Sequence, residues 1–342
     1  MKINFLLLIG GLYAQWPSKL LAPYTDVTLF PTFDVNIAQK QTGIKYYTIG
    51  PIISDASGNP AWGGTTPATG SAPFYLDQIT TLRNNGGDVI LYFGGAGIEI
   101  ARNTSTVNDL VQKYQAVITA YSATYITFDI QGSAIIASDA NELRNQALAI
   151  LQKNNPKLKV SLTLPTFVSG IDSSGLAILK SAMKNNLVLS SVNLITADYG
   201  STGAPNGATG MGGYAVSAVE GTVPQLEKIG LKNQTLGIAP IIGANNVQGE
   251  IFRLEDAQQF VDYASNSSVV GVIAYNNLNR DTNVNGTFVQ SSQITQPLFG
   301  FATTFKPWAG ITTPTDTTPL PTGGALGALS LGLTVLCVAF AF

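Results

Sequence analysis

The two residues best suited to chemistry are a carboxylate and an amide that lie two positions apart, Asp129 and Gln131. Polar and apolar side chains alternate over residues 125–132, which predicts a short β-strand with both residues on one face, at its C-terminal end. Polar groups in that place indicate the mouth of a barrel. A glutamine amide has no acidic proton to give near neutral pH, so position 131 itself cannot supply a general acid.

Short apolar runs rich in β-formers alternate with amphipathic segments over residues 15–311, and no linker interrupts them. The apolar runs predict eight strands, at residues 27–30, 46–49, 88–93, 125–130, 159–164, 192–197, 236–240 and 269–275. The amphipathic segments predict helices at residues 74–85, 107–121, 139–154, 173–186 and 254–264. This alternation predicts a single α/β domain folded as a (β/α)8 TIM barrel, in which the C-terminal strand ends carry function. An open doubly wound sheet is the alternative, although no Gly-rich phosphate turn opens a helix.

The composition excludes several classes of function. The 342 residues include no histidine and one cysteine, Cys337. Without histidine, Ser-His-Asp and Cys-His nucleophiles and the usual histidine metal sites are excluded, and the sequence predicts no metal and no cofactor. The 18 basic and 20 acidic residues give a net charge of −2 without any basic run, which argues against nucleic acid as a partner.

Both ends of the chain carry patterns of protein targeting. Residues 1–14 hold one lysine, an apolar run and a final small residue, as a secretory signal peptide does. Residues 312–324, rich in Thr, Pro and Gly, predict a stalk. The uncharged apolar residues 325–342 predict the removable tail of a glycosylphosphatidylinositol (GPI) anchor signal, with Asp316 as the attachment site, and a single transmembrane helix is the alternative.

The anchor pattern predicts a secreted protein at the outer face of the plasma membrane or in the cell wall, attached to the membrane through its C-terminal lipid. Sequons on such a chain are candidate sites for surface glycans. They begin at Asn103, Asn233, Asn266 and Asn285.

Residues 124–131 read T-x-x-T-x-D-x-Q, and this octet resembles the fourth-strand signature of glycoside hydrolase family 18, the chitinases, which is D-x-x-D-x-D-x-E. Only the third acidic position of the signature is kept, as Asp129. Gln131 occupies the position of the family's proton-donating glutamate, and the two acidic positions upstream are Thr124 and Thr127.

Other short motifs follow in the family's order over nearly the whole domain, and they look most like its microbial branch. They lie at residues 24–34, 92–95, 162–165, 197–200, 238–243, 249–252 and 278–281. Two further positions depart from the pattern. Tyr92 stands where the third-strand motif has a serine, and Asn276 stands where the barrel-floor tryptophan is expected.

The resemblance implies substrate-assisted hydrolysis, in which a glutamic acid protonates the leaving oxygen while the acetamido oxygen of the sugar attacks the anomeric carbon. It implies that Asp129 and Tyr199 hold that acetamido group, with Asp198 as a further contact to the substrate. These binding roles can persist in this chain. Proton donation by residue 131 cannot, because Gln131 is an amide.

Two more residues are candidates for substrate binding. Trp62 lies in a Pro- and Gly-containing loop, where it would either stack on a sugar ring or anchor a lid. Glu250 follows the predicted seventh strand, where it would be either a substitute acid that reaches the site or a solvated surface carboxylate.

Three functions stay open from the sequence. The first, favoured by Gln131, is a surface-anchored chitinase-like protein that binds chitin or related N-acetylglucosamine glycans without cutting them. The second is an active chitinase or endo-N-acetylglucosaminidase with a relocated acid, which Glu250 would support if it reached the site. The third is a structural wall protein whose groove has lost its ligand, an alternative that Asn276 keeps open.

Overall fold

The computed structural model describes residues 16–95 and 97–312. The predicted signal segment 1–14, the anchor tail with Cys337, and Asp316 lie outside the described residues. The described strands are β1 (Leu20–Leu21), β2 (Tyr24–Asp26), β3 (Tyr46–Ser54), β4 (Pro60–Trp62), β5 (Thr66–Pro67), β6 (Asp88–Gly94), β7 (Tyr125–Asp129), β8 (Lys159–Phe167), β9 (Gly170–Ile171), β10 (Ser191–Ile195), β11 (Leu236–Ile238), β12 (Gly243–Ala244), β13 (Ile251–Phe252) and β14 (Val270–Ile273).

The described helices occupy most of the connections between these strands. They are α1 (Val35–Thr42), α2 (Leu76–Asn84), α3 (Val107–Tyr121), α4 (Ser138–Asn154), α5 (Ser173–Lys184), α6 (Gly200–Gly203), α7 (Met211–Ile229), α8 (Leu254–Asn266) and α9 (Gly300–Phe305). Several begin at side-chain caps: Thr106 accepts a hydrogen bond from the backbone N–H of Asp109 at the start of α3, and Asp172 accepts one from Gly175 at the start of α5.

Parallel pairing closes the main sheet into a barrel. β1 and β2 act as one interrupted strand, because β1 pairs with β14 while β2 pairs with β3. From β3 the parallel pairing continues through β6, β7, β8, β10 and β11 to β14. The ring therefore has eight strand positions, and the predicted (β/α)8 barrel is confirmed.

The barrel strands are buried on both faces, which explains why they appear in the sequence as apolar runs. Every residue of β6 and β7 is buried. One large apolar cluster packs the strands against the helices, and a smaller cluster, which includes Tyr24, Tyr92 and Tyr125, fills the barrel interior. Trp16 packs against the smaller cluster, with its ring centroid 5.2 Å from that of Tyr125 and its indole N–H donating to Thr124 Oγ1 at 3.1 Å.

Two predictions of secondary structure are wrong. The first barrel strand lies at residues 20–26, whereas the predicted strand at 27–30 is a turn in which Phe30 is 90% exposed. The long helix α7 was not predicted, because Gly212, Gly221 and Pro224 have low helix propensity. The other predicted strands and helices are confirmed, α3 with the predicted ends and most of the others with shifted ends.

Among residues 16–95 and 97–312, no helix is both long enough and apolar enough to cross a membrane.

Candidate functional site

Asp129 is the last residue of β7, and the structure places Gln131 directly against it. The side-chain nitrogen of Gln131 lies 3.2 Å from each carboxylate oxygen of Asp129, so the amide donates to both oxygens. The backbone carbonyl of Asp129 accepts a hydrogen bond from Gly95 N–H at 2.9 Å. Gly94 has φ +91°, and an added Cβ there would meet the Asp129 backbone, so this close approach requires glycine.

Asp129 is buried, with 7% of the residue exposed. Burial raises the pKa of Asp129 to about 7, and the hydrogen bond from Gln131 works in the opposite direction. Burial has the larger effect because desolvation disfavours the charged form, while one amide donor compensates only in part. The site therefore holds a carboxyl group that changes charge near neutral pH.

The barrel interior beside Asp129 is lined by hydroxyl and amide groups. Thr127 Oγ1 lies 3.4 Å from Thr163 Oγ1, Tyr24 OH lies 2.8 Å from the same oxygen, and Asn193 Nδ2 donates to it at 3.3 Å. This neutral cluster, Tyr24, Thr127, Thr163 and Asn193, includes Thr127, which occupies an acidic position of the octet signature. Sequence reasoning missed three of its members, although Thr163 and Asn193 are polar residues within otherwise apolar strands, a pattern that indicates a polar barrel interior.

Tyr92, in place of the serine expected by resemblance, fills space in the barrel. Its ring packs edge-on against Tyr24, with centroids 5.0 Å apart. An added Cβ on Gly50 would lie 2.5 Å from the Tyr92 ring, so the ring lies directly on the backbone of β3. Burial raises the pKa of Tyr92, and the carboxylates of Asp26 and Asp129 raise it further. The hydroxyl of Tyr92 therefore stays neutral near the carboxylates of Asp26 and Asp129.

Tyr199 is buried, and its hydroxyl has no hydrogen-bond partner among the described residues. Burial raises the pKa of Tyr199, and the carboxylate of Glu250 adds to that effect. Asp198 does not point freely to solvent, because its carboxylate accepts hydrogen bonds from Asn246 Nδ2 at 2.7 Å and from the backbone N–H of Val247 at 3.0 Å. Asp198 thus joins the loop after β10 to the loop after β12, and Tyr199 keeps an unused hydroxyl.

Glu250 is 3% exposed, so the prediction of a solvated surface carboxylate is wrong. Its two oxygens accept hydrogen bonds from the backbone N–H groups of Gly200 at 2.6 Å and Tyr199 at 3.2 Å. Burial raises the pKa of Glu250, and these backbone donors oppose that shift. The geometry gives Glu250 a positioning role for the Tyr199 loop and does not favour the substitute acid.

Trp62 is 1% exposed, so the prediction that it stacks on a sugar ring is wrong. Its indole N–H donates to Tyr121 OH at 2.8 Å, and its ring packs against Phe74 and Tyr121. The alternative of an anchor agrees with this position, because Trp62 fixes the β4 strand to α3.

Asn276, at the position of the expected barrel-floor tryptophan, is half-buried after β14 and pairs with Ile241 in an isolated parallel bridge. Its backbone carbonyl accepts a hydrogen bond from Ile242 N–H at 3.0 Å, and its own N–H donates to Pro240. The backbone of the strand end is thus kept, while the side chain offers an amide where a large ring was expected.

The four sequon asparagines, Asn103, Asn233, Asn266 and Asn285, are all exposed. Their glycosylation stays a prediction. Among the described residues, no cluster of three or more His, Cys, Asp or Glu side chains could hold a metal ion.

The raised pKa of Asp129 predicts a specific dependence of stability on pH. The folded protein binds this proton more tightly than the unfolded chain, so the stability it contributes is full below about pH 4 and is lost as the pH rises through about 7. We expect Asp129→Asn to remove that loss. The change that this substitution makes in the free energy of unfolding should be more favourable at pH 8 than at pH 4 by about 1–3 kcal/mol. Urea unfolding at both pH values measures it.

Asp262→Asn, on the exposed surface of α8, is the matched control and should leave the pH dependence as in the wild type. If the stability of Asp129→Asn changed with pH as much as that of the wild type does, the assigned pKa of Asp129 would be contradicted.

No family model matches the chain. A probable bifunctional chitinase/lysozyme of Escherichia coli (strain K12) is 28% identical over 321 residues, which cover 88% of this chain and 36% of that protein. Endochitinase 11 of Metarhizium anisopliae is 29% identical over 281 residues, which cover 77% of this chain and 53% of that protein. The chain thus spans about a third and about half the length of these two relatives.

The solved structures that resemble this chain also include chitinases. The catalytic domain of a hyperthermophilic chitinase from Pyrococcus furiosus is 29% identical with a TM-score of 0.77, and the match covers 87% of this chain and 97% of that one. A family GH18 chitinase from Chromobacterium violaceum, at 16% identity and a TM-score of 0.58, shares the fold over 88% of this chain and 85% of its own. In its closed barrel, in the octet on β7 and in these likenesses, the chain is similar to the chitinases of glycoside hydrolase family 18.

Proposed function

We propose that this protein binds N-acetylglucosamine-containing glycans, chitin first among them, without hydrolysing them at an appreciable rate. The observation that carries the proposal is the contact of the Gln131 amide with both carboxylate oxygens of Asp129. By resemblance, residue 131 occupies the position of the proton-donating glutamate, and here it is an amide that already donates hydrogen bonds to Asp129. Loss of a general acid typically lowers a rate by about 10²- to 10⁴-fold.

The carboxylates of the surrounding loops support the same proposal. Asp26 accepts hydrogen bonds from the backbone N–H and hydroxyl of Thr28, at 2.8 and 2.6 Å. Asp198 and Glu250 are each held by donors on neighbouring loops. An acid catalyst must bring a proton to the leaving oxygen, and these three groups are instead acceptors of protein hydrogen bonds.

Binding groups are retained where the acid is not. Asp129 offers a buried carboxyl and Tyr199 offers a hydroxyl without a protein partner, and by family resemblance these two hold the acetamido group of the sugar. A buried hydroxyl without a partner costs free energy that a ligand would recover. The relatives are named as chitinases, so the alternative is an active glycosidase in which another group serves as acid.

We expect Asp129→Ala and Tyr199→Phe each to weaken binding of soluble N-acetylglucosamine oligomers by about 1–3 kcal/mol, because each leaves a polar group of the ligand without its partner. Isothermal titration of the purified domain measures the affinity. Tyr263→Phe, which removes a hydroxyl from the outer helix α8, is the control and should bind as the wild type does. Unchanged affinity in both site variants would locate the ligand elsewhere.

We further propose that the chain is secreted, glycosylated and held at the cell surface by a lipid anchor. The support is the sequence pattern of residues 1–14, 312–324 and 325–342. Phosphatidylinositol-specific phospholipase C should release the protein from intact cells, and mass spectrometry of the released form should find no Cys337. A cell-associated protein that resists the enzyme and keeps Cys337 would instead favour a transmembrane helix.

A further inference from the structure

Lysines collect at one end of the barrel, although the sequence contains no basic run. We call this end the base: it is the end at which the parallel strands begin, opposite the end of β7 that carries Asp129. Five lysines lie on the first residue of a barrel strand or within four residues before one, and they are Lys19, Lys45, Lys157, Lys159 and Lys232. Three more lie in the last turns of α1, α4 and α7, which run back to the base, and they are Lys40, Lys153 and Lys228.

The helix dipole explains only part of this arrangement. Cations are stabilised near helix C-termini, which accounts for Lys40, Lys153 and Lys228. Strands carry little net dipole, so the same effect does not account for the five lysines that precede or begin strands. Stabilisation of the fold by helix dipoles therefore leaves most of the positive charge at the base without a reason.

Acidic side chains gather at the opposite end, the mouth of the barrel. They cap α1 and α5 or lie in the first turns of α2, α3, α4 and α8, and they are Asp34, Asp172, Asp77, Asp109, Asp139, Glu255 and Asp256. Asp26 and Asp129 end two barrel strands on the same side. The domain is thus basic at the base and acidic at the mouth, although the net charge of the chain is only −2. A charged surface orients such a domain.

The lysines of the base are available to an anion outside the protein. Six of the eight are exposed, and among residues 16–95 and 97–312 none of the eight forms an ion pair with an acidic side chain. Asp88, at the start of β6, is buried and is held by Arg83 at 2.8 Å. Two exposed carboxylates, Glu227 and Asp262, lie near the ends of α7 and α8. The base therefore keeps an excess of positive charge.

A depression of about 830 Å³ opens in the base, between the ends of α3 and α4 and the segments that lead into β7 and β8. Lys157, Lys159 and Trp16 line it, and none of the described residues in its lining is acidic. The Lys159 ammonium lies 5.9 Å from the centre of the Tyr125 ring, and the half-buried Trp16 packs edge-on against the same ring. Lysine and tryptophan side chains together are typical of proteins that contact the polar surface of a membrane.

The described chain also ends at the base. The indole N–H of Trp308 donates to Ala264 O at 3.3 Å near the end of α8, and the Lys19 ammonium lies 5.8 Å from the centre of the Trp308 ring. Thr312, the last described residue, follows four residues later. Asp316, the predicted site of the lipid anchor, is four residues further along, and four residues span at most about 14 Å. A membrane that holds this anchor is therefore within reach of the base.

We propose that the base docks on the anionic phosphodiester headgroups of the membrane that holds the chain, with Lys45, Lys157 and Lys232 against the headgroups and Trp16 beside them. The choice of a membrane rests on the lipid anchor proposed above, which itself ends in the anionic headgroup of phosphatidylinositol. The acidic mouth is repelled by the same surface, so one orientation is favoured. In that orientation Asp129 faces away from the membrane, where a glycan outside the cell can reach it.

The test is sedimentation of residues 15–312 with vesicles, because the described residues through Thr312 form one compact unit and this chain lacks the anchor tail. Vesicles of phosphatidylcholine with about 30% phosphatidylinositol should bind it, and vesicles of phosphatidylcholine alone should not. Each of Lys45→Gln, Lys157→Gln and Lys232→Gln should weaken binding about fivefold, and the triple variant about a hundredfold, since one lysine near an anionic surface contributes about 1 kcal/mol. Sodium chloride at about 0.5 M should remove most of the binding.

Arg102→Gln is the matched control, because it removes one exposed positive charge from the mouth side, after β6, and gives the same net charge as Lys157→Gln. It should bind the anionic vesicles as the wild type does. Thermal unfolding of each variant checks that the fold is kept. Equal losses for Lys157→Gln and Arg102→Gln overturn the docking surface, as does a wild-type domain that does not bind the anionic vesicles.

Two further measurements separate this proposal from the earlier ones. The triple variant should bind N-acetylglucosamine oligomers as the wild type does, because its changes lie at the opposite end of the barrel from Asp129. A wild type that binds the anionic vesicles but no oligomer overturns the proposed glycan binding and supports the docking surface. Binding to soluble dextran sulfate without binding to the anionic vesicles overturns the assignment of a membrane.

Discussion

The hydrogen bonds from one amide, Gln131, to both oxygens of a buried carboxyl group, Asp129, are the interaction on which the site depends. The carboxyl is held at a barrel mouth where burial raises its pKa to about 7. A glutamate at position 131 would place a second carboxyl group against the first and would offer it a proton; the amide offers donors without acidity. In the function proposed here, the pair keeps the carboxyl group of Asp129 in position for a ligand and lacks a general acid at position 131.

The surroundings of Asp129 are consistent with a neutral site. Tyr24, Thr127, Thr163 and Asn193 form a cluster of hydroxyl and amide groups in the barrel interior, and Tyr92 fills the remaining space against Gly50. A buried second carboxylate would raise the cost of ionising Asp129, whereas a hydroxyl does so much less. Farther out, Glu250 accepts hydrogen bonds from the Tyr199 loop, and Asp198 accepts one from the backbone of Val247, so both carboxylates position backbone.

The barrel could be predicted from the sequence because buried parallel strands give apolar runs. The position of Asp129 could be predicted because Asp129 and Gln131 alternate with apolar residues at the end of one such run. The first strand was misplaced because Pro23 divides it into two short pieces. Helix α7 was missed because its glycines have low helix propensity, although Gly221 is needed there: an added Cβ would collide with the backbone carbonyl of Ser169. Trp62 and Glu250 were misjudged because their partners, Tyr121 and the Tyr199 loop, lie about 50 residues or more away in the sequence. Local pattern cannot indicate burial that is created by such distant contacts.

The central claim is that the missing acid at position 131 makes the site a binding site. The most direct measurement is the release of products from soluble chitin oligomers by the unmodified domain, by Gln131→Ala, by Gln131→Glu and by Gln131→Glu combined with Thr127→Asp. The account predicts background turnover for the unmodified domain and Gln131→Ala, slight turnover for Gln131→Glu and more for the double variant. The double variant gains because a carboxylate at position 127 restores the charge beside Asp129. Thr127→Asp alone should be inactive. Turnover by the unmodified domain that survives Gln131→Ala would contradict it, because another residue would then already serve as the acid.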